Sequence, residues 1–283
     1  MRYVAAALAL AIGAGFAPAA FAQAAAPQPA PAADTPPAAV ASDTTPADAP
    51  SEVNAATARA THGHTPGDPF EHVNRDIFGF NEGLDKGIVE PTAKGYRAIT
   101  PKFFRSGVSN FLHNLKSPVI FTNDVLQVEP SRAGTTAGRF VLNTTVGLLG
   151  LFDVAKHVGL PPHDEDFGQT LGKWGVGPGP YLMIPFLGPS NLRDLTGQLV
   201  DFAMDPITYA DFKNDDTARA ARFAMDELSA RTDAIEAIDT LRQTSIDPYS
   251  TTRSLYGQAR DSAIANGQTQ AADSPESDDA LSH

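Results

Sequence analysis

The chain has 283 residues, of which 42% are hydrophobic and 19% are charged, a composition typical of a globular protein with one medium domain and tails. Its formal net charge of −12 argues against a nucleic-acid-binding function, because phosphate recognition needs clustered lysine and arginine. The same charge argues against bulk attraction to anionic headgroups, so any membrane contact is expected to depend on burial of apolar surface.

Residues 1–22 predict a cleavable secretory signal peptide. Arg2 provides a positive start, residues 4–16 form a short apolar stretch, and Ala20-Phe21-Ala22 is a small-x-small cleavage site. Cleavage there would leave Gln23 as the first mature residue. Because the chain contains no cysteine, a cysteine-linked lipid anchor is not expected, and the sequence predicts an exported protein that is not a lipoprotein.

Residues 23–67 predict a disordered tether. The segment is rich in alanine and proline and has almost no large apolar side chains, so it cannot bury enough surface to offset the entropy of ordering. Residues 268–283 include an acidic stretch and predict a frayed C-terminal tail. The ordered domain is therefore expected to span residues 68–267.

Helical patterns dominate the first half of that domain. Asp68-Pro69 predicts the capped start of the first helix. Ser106 is expected to cap the next helix, and Ser117-Pro118 to kink or restart it. The apolar residues of the first helix recur at helical spacing: Ile77, Phe80, Leu84 and Ile88.

The second half predicts a long amphipathic helix over about 215–243. Asp247-Pro248 then caps a last helix that ends near Asn266. Alternating strand patterns are weak, and Tyr181–Ile184 predicts at most one arm of a short hairpin. The fold class is therefore all-α, mainly helical. The long helix has one apolar face: Ala221, Met225, Leu228, Ile235, Ile238 and Leu241.

The most apolar stretch after the signal peptide is residues 140–155. As a helix its 16 residues would span about 24 Å, short of the ~30 Å hydrocarbon core. A buried core helix and a helix lying in one leaflet both fit this pattern, and a full crossing fits less well. In the leaflet reading the membrane-embedded residues are Phe140, Val146, Leu148, Leu149, Leu151 and Phe152.

Residues 172–189 combine many glycines and prolines with large apolar side chains. One interpretation is a loop packed on the core. The other is a loop that dips into lipid or lines an apolar channel, with Trp174 and Tyr181 at the interface, where amphipathic rings are favoured.

No catalytic motif, P-loop or dinucleotide fingerprint is present. The sequence therefore predicts a protein that is not an enzyme, with no catalytic residue and no cofactor. His163-Asp164-Glu165-Asp166 places four potential metal ligands in a row, but adjacent side chains rarely converge on one ion, so no metal site is expected.

Several blocks in order resemble the MlaA/VacJ family over about 200 residues. The first runs from Asp68-Pro69-Phe70-Glu71 to Phe78-Gly79-Phe80-Asn81, and the next covers 109–115. Residues 138–155 follow as Gly-Arg-Phe-Val-Leu-Asn-Thr running to Gly-Leu-Phe-Asp-Val-Ala. The most diagnostic block is Glu165-Asp-Phe-Gly-Gln-Thr-Leu-Gly172 with its continuation through Tyr181 to Arg193-Asp194, and Asp247-Pro248-Tyr249 closes the series.

The resemblance implies a ring-like helical platform in the periplasm-facing leaflet of a bacterial outer membrane, with an amphipathic central channel. It implies that phospholipids mislocalised to the outer leaflet are removed and passed to a periplasmic lipid-binding carrier, and that a trimeric porin is a partner. By motif position, the lipid path would include Phe78, Gly79, Phe80, Asn81, Trp174, Gly175, Gly177, Gly179, Tyr181 and Phe186.

Two other functions stay open on the residues. A structural envelope adaptor could dock on a porin without moving lipid, and a periplasmic lipid hydrolase would need a nucleophile and a base in one pocket. The missing cysteine departs from the many lipoproteins of this family. It predicts that apolar burial, a porin or the long tether replaces the lipid anchor.

Overall fold

The computed structural model describes residues 67–210 and 215–266. The predicted signal peptide, the predicted acidic tail and, apart from Gly67, the predicted tether lie outside the described residues. The fold account therefore concerns the expected ordered domain.

Most of the described chain is helical, as predicted. The helices are α1 (Glu71–Leu84), α2 (Glu90–Ile99), α3 (Lys102–Leu126), α4 (Pro130–Thr145), α5 (Val154–His157), α6 (Phe167–Lys173), α7 (Leu192–Met204), α8 (Pro206–Tyr209), α9 (Asp215–Asp233), α10 (Ile235–Thr244) and α11 (Pro248–Ile264). A π-helical segment, Asp85–Val89, joins α1 to α2. No helix in the described ranges is long and apolar enough to cross a bilayer.

Within the described ranges, one antiparallel hairpin interrupts the helices. Strand β1 (Tyr181–Ile184) pairs with β2 (Gly188–Asn191), with Tyr181 opposite Asn191 and Ile184 opposite Gly188. The predicted hairpin arm is confirmed. The hairpin lies against α1, while α3 packs on α4, α6 on α7, and α2 on α9.

Side-chain caps explain several of these boundaries. Asp166, Asn191 and Asp247 each precede a helix and accept a hydrogen bond from a backbone N–H three residues later, which satisfies an otherwise unpaired donor of the first turn. The predicted cap at Asp247-Pro248 is confirmed, and α11 ends at Ile264, close to the predicted Asn266.

Four predicted features were wrong. Asp68 does not cap α1, since the cap position is Phe70 and makes no side-chain bond. Ser106 lies inside α3, which begins at Lys102 and continues through Pro118. The helix expected over 215–243 is interrupted at Ala234 and forms two helices. The stretch 140–155 is not one helix, because α4 ends at Thr145.

The interior of the described chain is mostly polar. The eight largest fully buried side chains are all polar or charged: Arg231, Asn81, Asn123, Thr170, Thr252, Asp68, Asp85 and Asp124. On α1 the buried positions are Asn74 and Asn81, whereas Phe80 of the predicted apolar stripe is half-exposed. The apolar periodicity therefore predicted the helix but not the face that points inward.

Candidate functional site

The hairpin is attached to α1 by two buried asparagines. Asn74 donates from Nδ2 to the Tyr181 carbonyl (3.1 Å) and accepts from the Met183 N–H (2.9 Å). Asn81 makes the same pair of bonds with the Ile184 carbonyl (3.0 Å) and the Phe186 N–H (2.9 Å). Each amide thus supplies the edge of β1 with the donor and acceptor that a neighbouring strand would provide.

The spacing of these asparagines matches the strand. Seven residues of α-helix rise about 10.5 Å, and three residues of antiparallel strand extend about 10 Å. Asn74 and Asn81 are seven residues apart and bind carbonyls three residues apart, at Tyr181 and Ile184. The i, i+7 asparagine pair on α1 therefore fixes the register of the hairpin along the helix.

The tip of the hairpin presents an aromatic pair. Phe186 has a φ of 68°, a left-handed conformation that non-glycine residues seldom adopt, and its N–H is held by Asn81. Its ring meets the half-exposed Phe80 ring edge-to-face at 5.4 Å between centroids. Asn81 thus positions a partly exposed apolar pair beside a buried polar side chain.

Phe78 and Tyr181 lie inward from that pair. Tyr181 is buried in an aromatic cluster with Tyr249 and Tyr256, and Phe78 packs edge-on against Tyr249 at 5.7 Å. Burial raises the pKa of the Tyr181 hydroxyl well above its ordinary value. The expectation that Tyr181 sits at a membrane interface was wrong, because β1 turns this residue towards α11.

The Gly/Pro-rich loop before β1 is exposed from Trp174 to Gly179. Trp174 is half-exposed, donates from Nε1 to the Leu126 carbonyl (3.1 Å) and packs edge-on against Phe167. Gly175 and Gly179 have positive φ, whereas Gly177 does not. The structure therefore places the glycines in an exposed loop, with Trp174 against α3 and α6 rather than against the Phe80–Phe186 pair.

The segment after α4 forms an exposed apolar loop, residues 146–152, called here the apolar loop. All six residues predicted to be membrane-embedded have substantial exposure: Phe140 38%, Val146 63%, Leu148 61%, Leu149 64%, Leu151 43% and Phe152 60%. The interpretation of this stretch as a buried core helix was therefore wrong.

The backbone of the apolar loop is tightly folded. Leu148 and Leu149 adopt positive φ, and Gly150 follows with φ 96°. A Cβ on Gly147 would lie 2.2 Å from the Phe152 carbonyl oxygen, and one on Gly150 would lie 2.5 Å from the Asn114 side chain. Only glycine fits at these two positions, which explains why the apolar run does not continue as a helix.

Most backbone amides of the loop are paired within the chain. The N–H groups of residues 146, 147 and 149–152 all donate to backbone carbonyls of residues 142–148. Asn114 and Asn110 on α3 donate to the Leu149 and Leu151 carbonyls, each at 3.4 Å. A loop with its polar backbone groups paired and its apolar side chains exposed is suited to a non-aqueous environment.

A polar anchor holds the loop from beneath. Asp153 accepts from Asn143 Nδ2 (3.0 Å) and Arg139 (3.1 Å), and Asn143 Oδ1 accepts from the Ala155 N–H (2.9 Å). Burial raises the pKa of the Asp153 carboxyl, but the bonds from Asn143 and Arg139 outweigh it and hold the pKa below its ordinary value. Arg139 and Asn143 form the buried face of α4, opposite the exposed Phe140 and Val141.

The main charge cluster lies between α9, α10 and the π-helical segment. Asp85 is fully buried and receives two bonds from Arg231 (2.8 and 2.9 Å) and one from Arg242 (2.7 Å). Arg242 also donates to Glu90 at 2.7 Å. A small cleft opens beside it, lined by Phe78, Glu82, Ile238, Leu241, Arg242, Pro248 and Thr252.

A second cluster joins α11 to α6 and α7. Arg260 binds Asp166 (2.6 and 2.9 Å) and Asp194 (3.0 Å). Burial raises the pKa of the Asp166 carboxyl, but the bonds that it accepts from Arg260 outweigh this effect and keep the pKa below its usual value. Nearby, burial raises the pKa of Asp201 to about 6, against the opposing bonds from the Phe167 N–H and Asn123.

The four residues considered as metal ligands point to different partners. His163 contacts Asp124 (3.1 Å), Glu165 binds Gln127 (2.7 Å) and Arg132, and Asp166 binds Arg260. Asp164 lies 3.4 Å from His113. Across residues 67–210 and 215–266, no group of three or more acidic or histidine side chains is arranged to hold a metal ion.

Sequence reasoning assigned no role to Asn74, Asn143, Arg139, Asp85 and Arg231, which carry most of this architecture. The available signal was polar residues repeating at helical spacing, as in the i, i+7 pair on α1 and the i, i+4 pair on α4. Such a polar face is usually read as the solvent side of a helix, and here it is the buried side.

Comparison with known proteins places this geometry in context. A family model described as MlaA lipoprotein matches residues 66–263. A protein of Rickettsia bellii (strain RML369-C) is 37% identical over 198 residues, covering 70% of this chain and 76% of the relative. The intermembrane phospholipid transport system lipoprotein MlaA of Escherichia coli (strain K12) is 36% identical over 206 residues, covering 71% of this chain and 79% of the relative.

A solved structure has the same fold. It was reported as "Structural basis for maintenance of bacterial outer membrane lipid asymmetry", aligns with a TM-score of 0.63 at 35% identity, and covers 70% of this chain and 98% of its own. The match spans nearly the whole solved chain, so the described helices and hairpin correspond to its complete fold rather than to a fragment.

Proposed function

The chain belongs to the MlaA lipoprotein family, and from this premise we propose that it is the outer-membrane component of a phospholipid transport system that maintains lipid asymmetry. It extracts mislocalised phospholipids from the outer leaflet through an amphipathic channel in a ring-like platform and passes them to a periplasmic lipid-binding carrier. It acts without a cofactor and without catalysis.

The observation that carries this proposal is the inverted distribution of side chains. Large apolar residues are exposed on α1, α3, α4, α7 and the apolar loop, while asparagines, arginines and carboxylates fill the interior. Soluble monomers rarely expose large apolar patches to water. Within a leaflet, acyl chains cover those side chains and the hydrophobic cost of exposure disappears.

The apolar loop is the proposed point of insertion into the periplasm-facing leaflet. Its exposed side chains give it affinity for acyl chains, and its paired amides remove the penalty of placing irregular backbone there. The loop occupies one monolayer, in keeping with the absence of a bilayer-length apolar helix from the described ranges.

The proposed lipid path passes the Phe80–Phe186 pair and the exposed loop from Trp174 to Gly179. Partly exposed rings can contact acyl chains, and the buried Asn81 holds the hairpin tip that carries Phe186 in place. Gly79 and Asn81 lie on α1 beside Phe80, and Asn81 binds the hairpin tip. Tyr181 and Phe78 pack in the buried aromatic cluster that supports the hairpin.

Attachment to the membrane is proposed to be non-covalent. The Escherichia coli relative is named a lipoprotein, whereas the 283 residues of this chain include no cysteine. The apolar loop and the neighbouring exposed side chains would provide the hold instead. A trimeric porin and the periplasmic carrier enter the proposal as partners through the family resemblance.

A complementation experiment tests the function. A strain lacking the gene should accumulate phospholipid in the outer leaflet and become sensitive to detergent, and the wild-type chain should reverse both. Leu148→Asp with Leu149→Asp should not, because charge opposes insertion. Aspartate enters the left-handed region more readily than leucine, so the loop backbone is not strained further.

The control is Ile246→Asp, which places one aspartate on an exposed apolar residue between α10 and α11 and outside the apolar loop. It should complement fully. An unchanged outer-leaflet composition in the deletion strain would contradict the transport function. Co-purification with a porin in that same case would favour the structural adaptor.

A further inference from the structure

The chain carries a cationic segment within an acidic sequence. Residues 91–123 contain five lysines and arginines and no aspartate or glutamate, in a chain whose net charge is −12. The segment comprises α2 after its first residue and most of α3. Net charge therefore misrepresents the electrostatics of this part of the surface.

Three of the five cations are neutralised by acids from elsewhere. Each of these three side chains forms an ion pair with a carboxylate within 4 Å, contributed by Glu90 at the start of α2 or by α9 and α10. The pairs are Lys94 with Glu90 and Asp239, Arg97 with Glu236, and Lys116 with Asp226.

The remaining two cations, Lys102 and Arg105, lie in the first turn of α3, just after its junction with α2. Lys102 is exposed and makes no hydrogen bond or ion pair with any described residue. Arg105 donates to the carbonyls of Arg97 (2.8 Å) and Thr100 (3.0 Å) at the end of α2. Asp233 lies close enough for the Arg105 charge to lower its pKa against the larger effect of burial, but the two form no ion pair.

The same junction exposes three large apolar side chains. Ile99 is 83% exposed, Phe103 is 77% exposed and Phe104 is 54% exposed. Lys102 and Arg105 bracket the two phenylalanines in sequence. Aromatic rings between cations are the side chains expected where a protein meets both acyl chains and headgroup phosphates.

This junction is continuous with the apolar loop. A Cβ on Gly107 would lie 3.4 Å from the Leu151 carbonyl oxygen, and Asn110 donates to the same carbonyl. Phe103 precedes Gly107 by one helical turn on the same face of α3. Phe103 therefore adjoins the surface that is proposed to enter the leaflet.

We propose that this corner, formed by Ile99, Lys102, Phe103, Phe104 and Arg105, binds anionic phospholipids of the membrane leaflet. Phe103 and Phe104 enter the acyl region beside the apolar loop, and Lys102 and Arg105 bind headgroup phosphates. The inference rests on the proposed function, since it requires the platform to lie in a leaflet. It adds a preference for anionic lipid that the net charge of the chain would not predict.

The test is flotation of the full chain with vesicles of phosphatidylcholine alone or with about 30 mol% phosphatidylglycerol. The wild-type chain should bind both, and the anionic vesicles more tightly. Lys102→Gln should lower affinity for the anionic vesicles about fivefold, the effect of one surface cation near an anionic leaflet. The Lys102 side chain has no partner among residues 67–210 and 215–266, so this variant does not endanger their fold, and Lys102→Gln with Arg105→Gln should lose more affinity.

The matched control is Lys86→Gln with Lys94→Gln, which removes two charges from lysines that already have carboxylate partners one turn away. It should bind anionic vesicles within twofold of the wild type, and all variants should bind neutral vesicles equally. Equal wild-type binding to neutral and anionic vesicles, or an equal loss in the control, would overturn this inference. Failure of the wild-type chain to bind either kind of vesicle would instead overturn the proposed membrane placement.

Discussion

The charge cluster around Asp85 and the apolar loop both invert the usual distribution of side chains, the first by burying charges and the second by exposing apolar groups. Asp85, Arg231 and Arg242 are charged groups enclosed by helices, whereas Leu148 and Leu149 are apolar groups directed outward over a polar anchor. Charged side chains are usually exposed and large apolar side chains usually buried, so both arrangements depart from the common pattern. The comparison shows that polarity alone does not tell which side of an element faces the interior.

The two regions also differ in the interactions that stabilise them. A buried ion pair is stable only while every partner is present, because an uncompensated charge in a low-dielectric interior is costly. Most backbone N–H groups of the apolar loop already donate within the chain, and its exposed side chains depend on what surrounds the protein. Mutations in the charge cluster should therefore lower the folding stability, whereas mutations in the apolar loop should weaken its contact with the proposed membrane leaflet.

The largest effect is expected from Asp85→Ala. This change leaves Arg231 and Arg242 with reduced compensation in the interior, and the free energy of unfolding should fall by about 3–5 kcal/mol. Urea denaturation in detergent would measure it. Asp76→Ala, at an exposed position on the same helix, is the control and should stay within about 0.5 kcal/mol of wild type. A similar, small effect for both variants would show that the buried Asp85 matters no more for stability than an exposed carboxylate.

A smaller effect is expected from Asn81→Ala. The Ile184 carbonyl and the Phe186 N–H would lose their partner, at a cost of about 1–3 kcal/mol for the unsatisfied buried groups. Amide hydrogen exchange at Phe186 should accelerate as the hairpin tip is released. Asn110→Ala removes one long, exposed bond and should leave that exchange rate unchanged.

The pH dependence of Asp201 gives a still smaller effect. Because burial raises its folded pKa to about 6, the folded state holds a proton that the unfolded state releases near pH 4. The stabilisation this carboxyl gives at low pH is therefore lost as pH rises from about 4 to about 6. Asp201→Asn should gain about 1–2 kcal/mol relative to wild type across that window, and unfolding curves at the two ends would measure it.

The smallest effect on folding is expected from Leu148→Asp with Leu149→Asp. Exposed loop substitutions usually change stability by less than about 0.5 kcal/mol, so the unfolding free energy in detergent should barely change. Vesicle binding should fall strongly, measured by flotation. A large loss of folding stability together with unchanged vesicle binding would show that these side chains belong to a core.

Several elements could be predicted from local sequence alone. The helix of α11 follows from Asp247-Pro248 and its end near Asn266, and β1 follows from the apolar run after a glycine- and proline-rich turn. These signals depend on residues within a few positions of one another. The helix of α1 was likewise predictable, but Phe80 and Ile88 of its apolar stripe turned out to be exposed.

The end of α4 could not be predicted from the apolar content of residues 140–155. The helix stops because Gly147 and Gly150 allow a tight turn against Asn143 and Asn114, and one of those contacts comes from another helix. Ala234 likewise divides the expected long helix, although its neighbours continue the apolar pattern. Hydrophobic periodicity does not register such interruptions.

Local sequence was sufficient to show that the domain is mainly helical, where a short strand fits, and that its charge and motifs do not suit nucleic acid or a familiar catalytic site. The tertiary structure alone decided which face of each helix points inward, because that depends on partners as distant as Asp85 and Arg231, 146 residues apart. A lipid-facing surface and a protein core are equally apolar, so the two produce the same pattern along a helix, and only packing separates them.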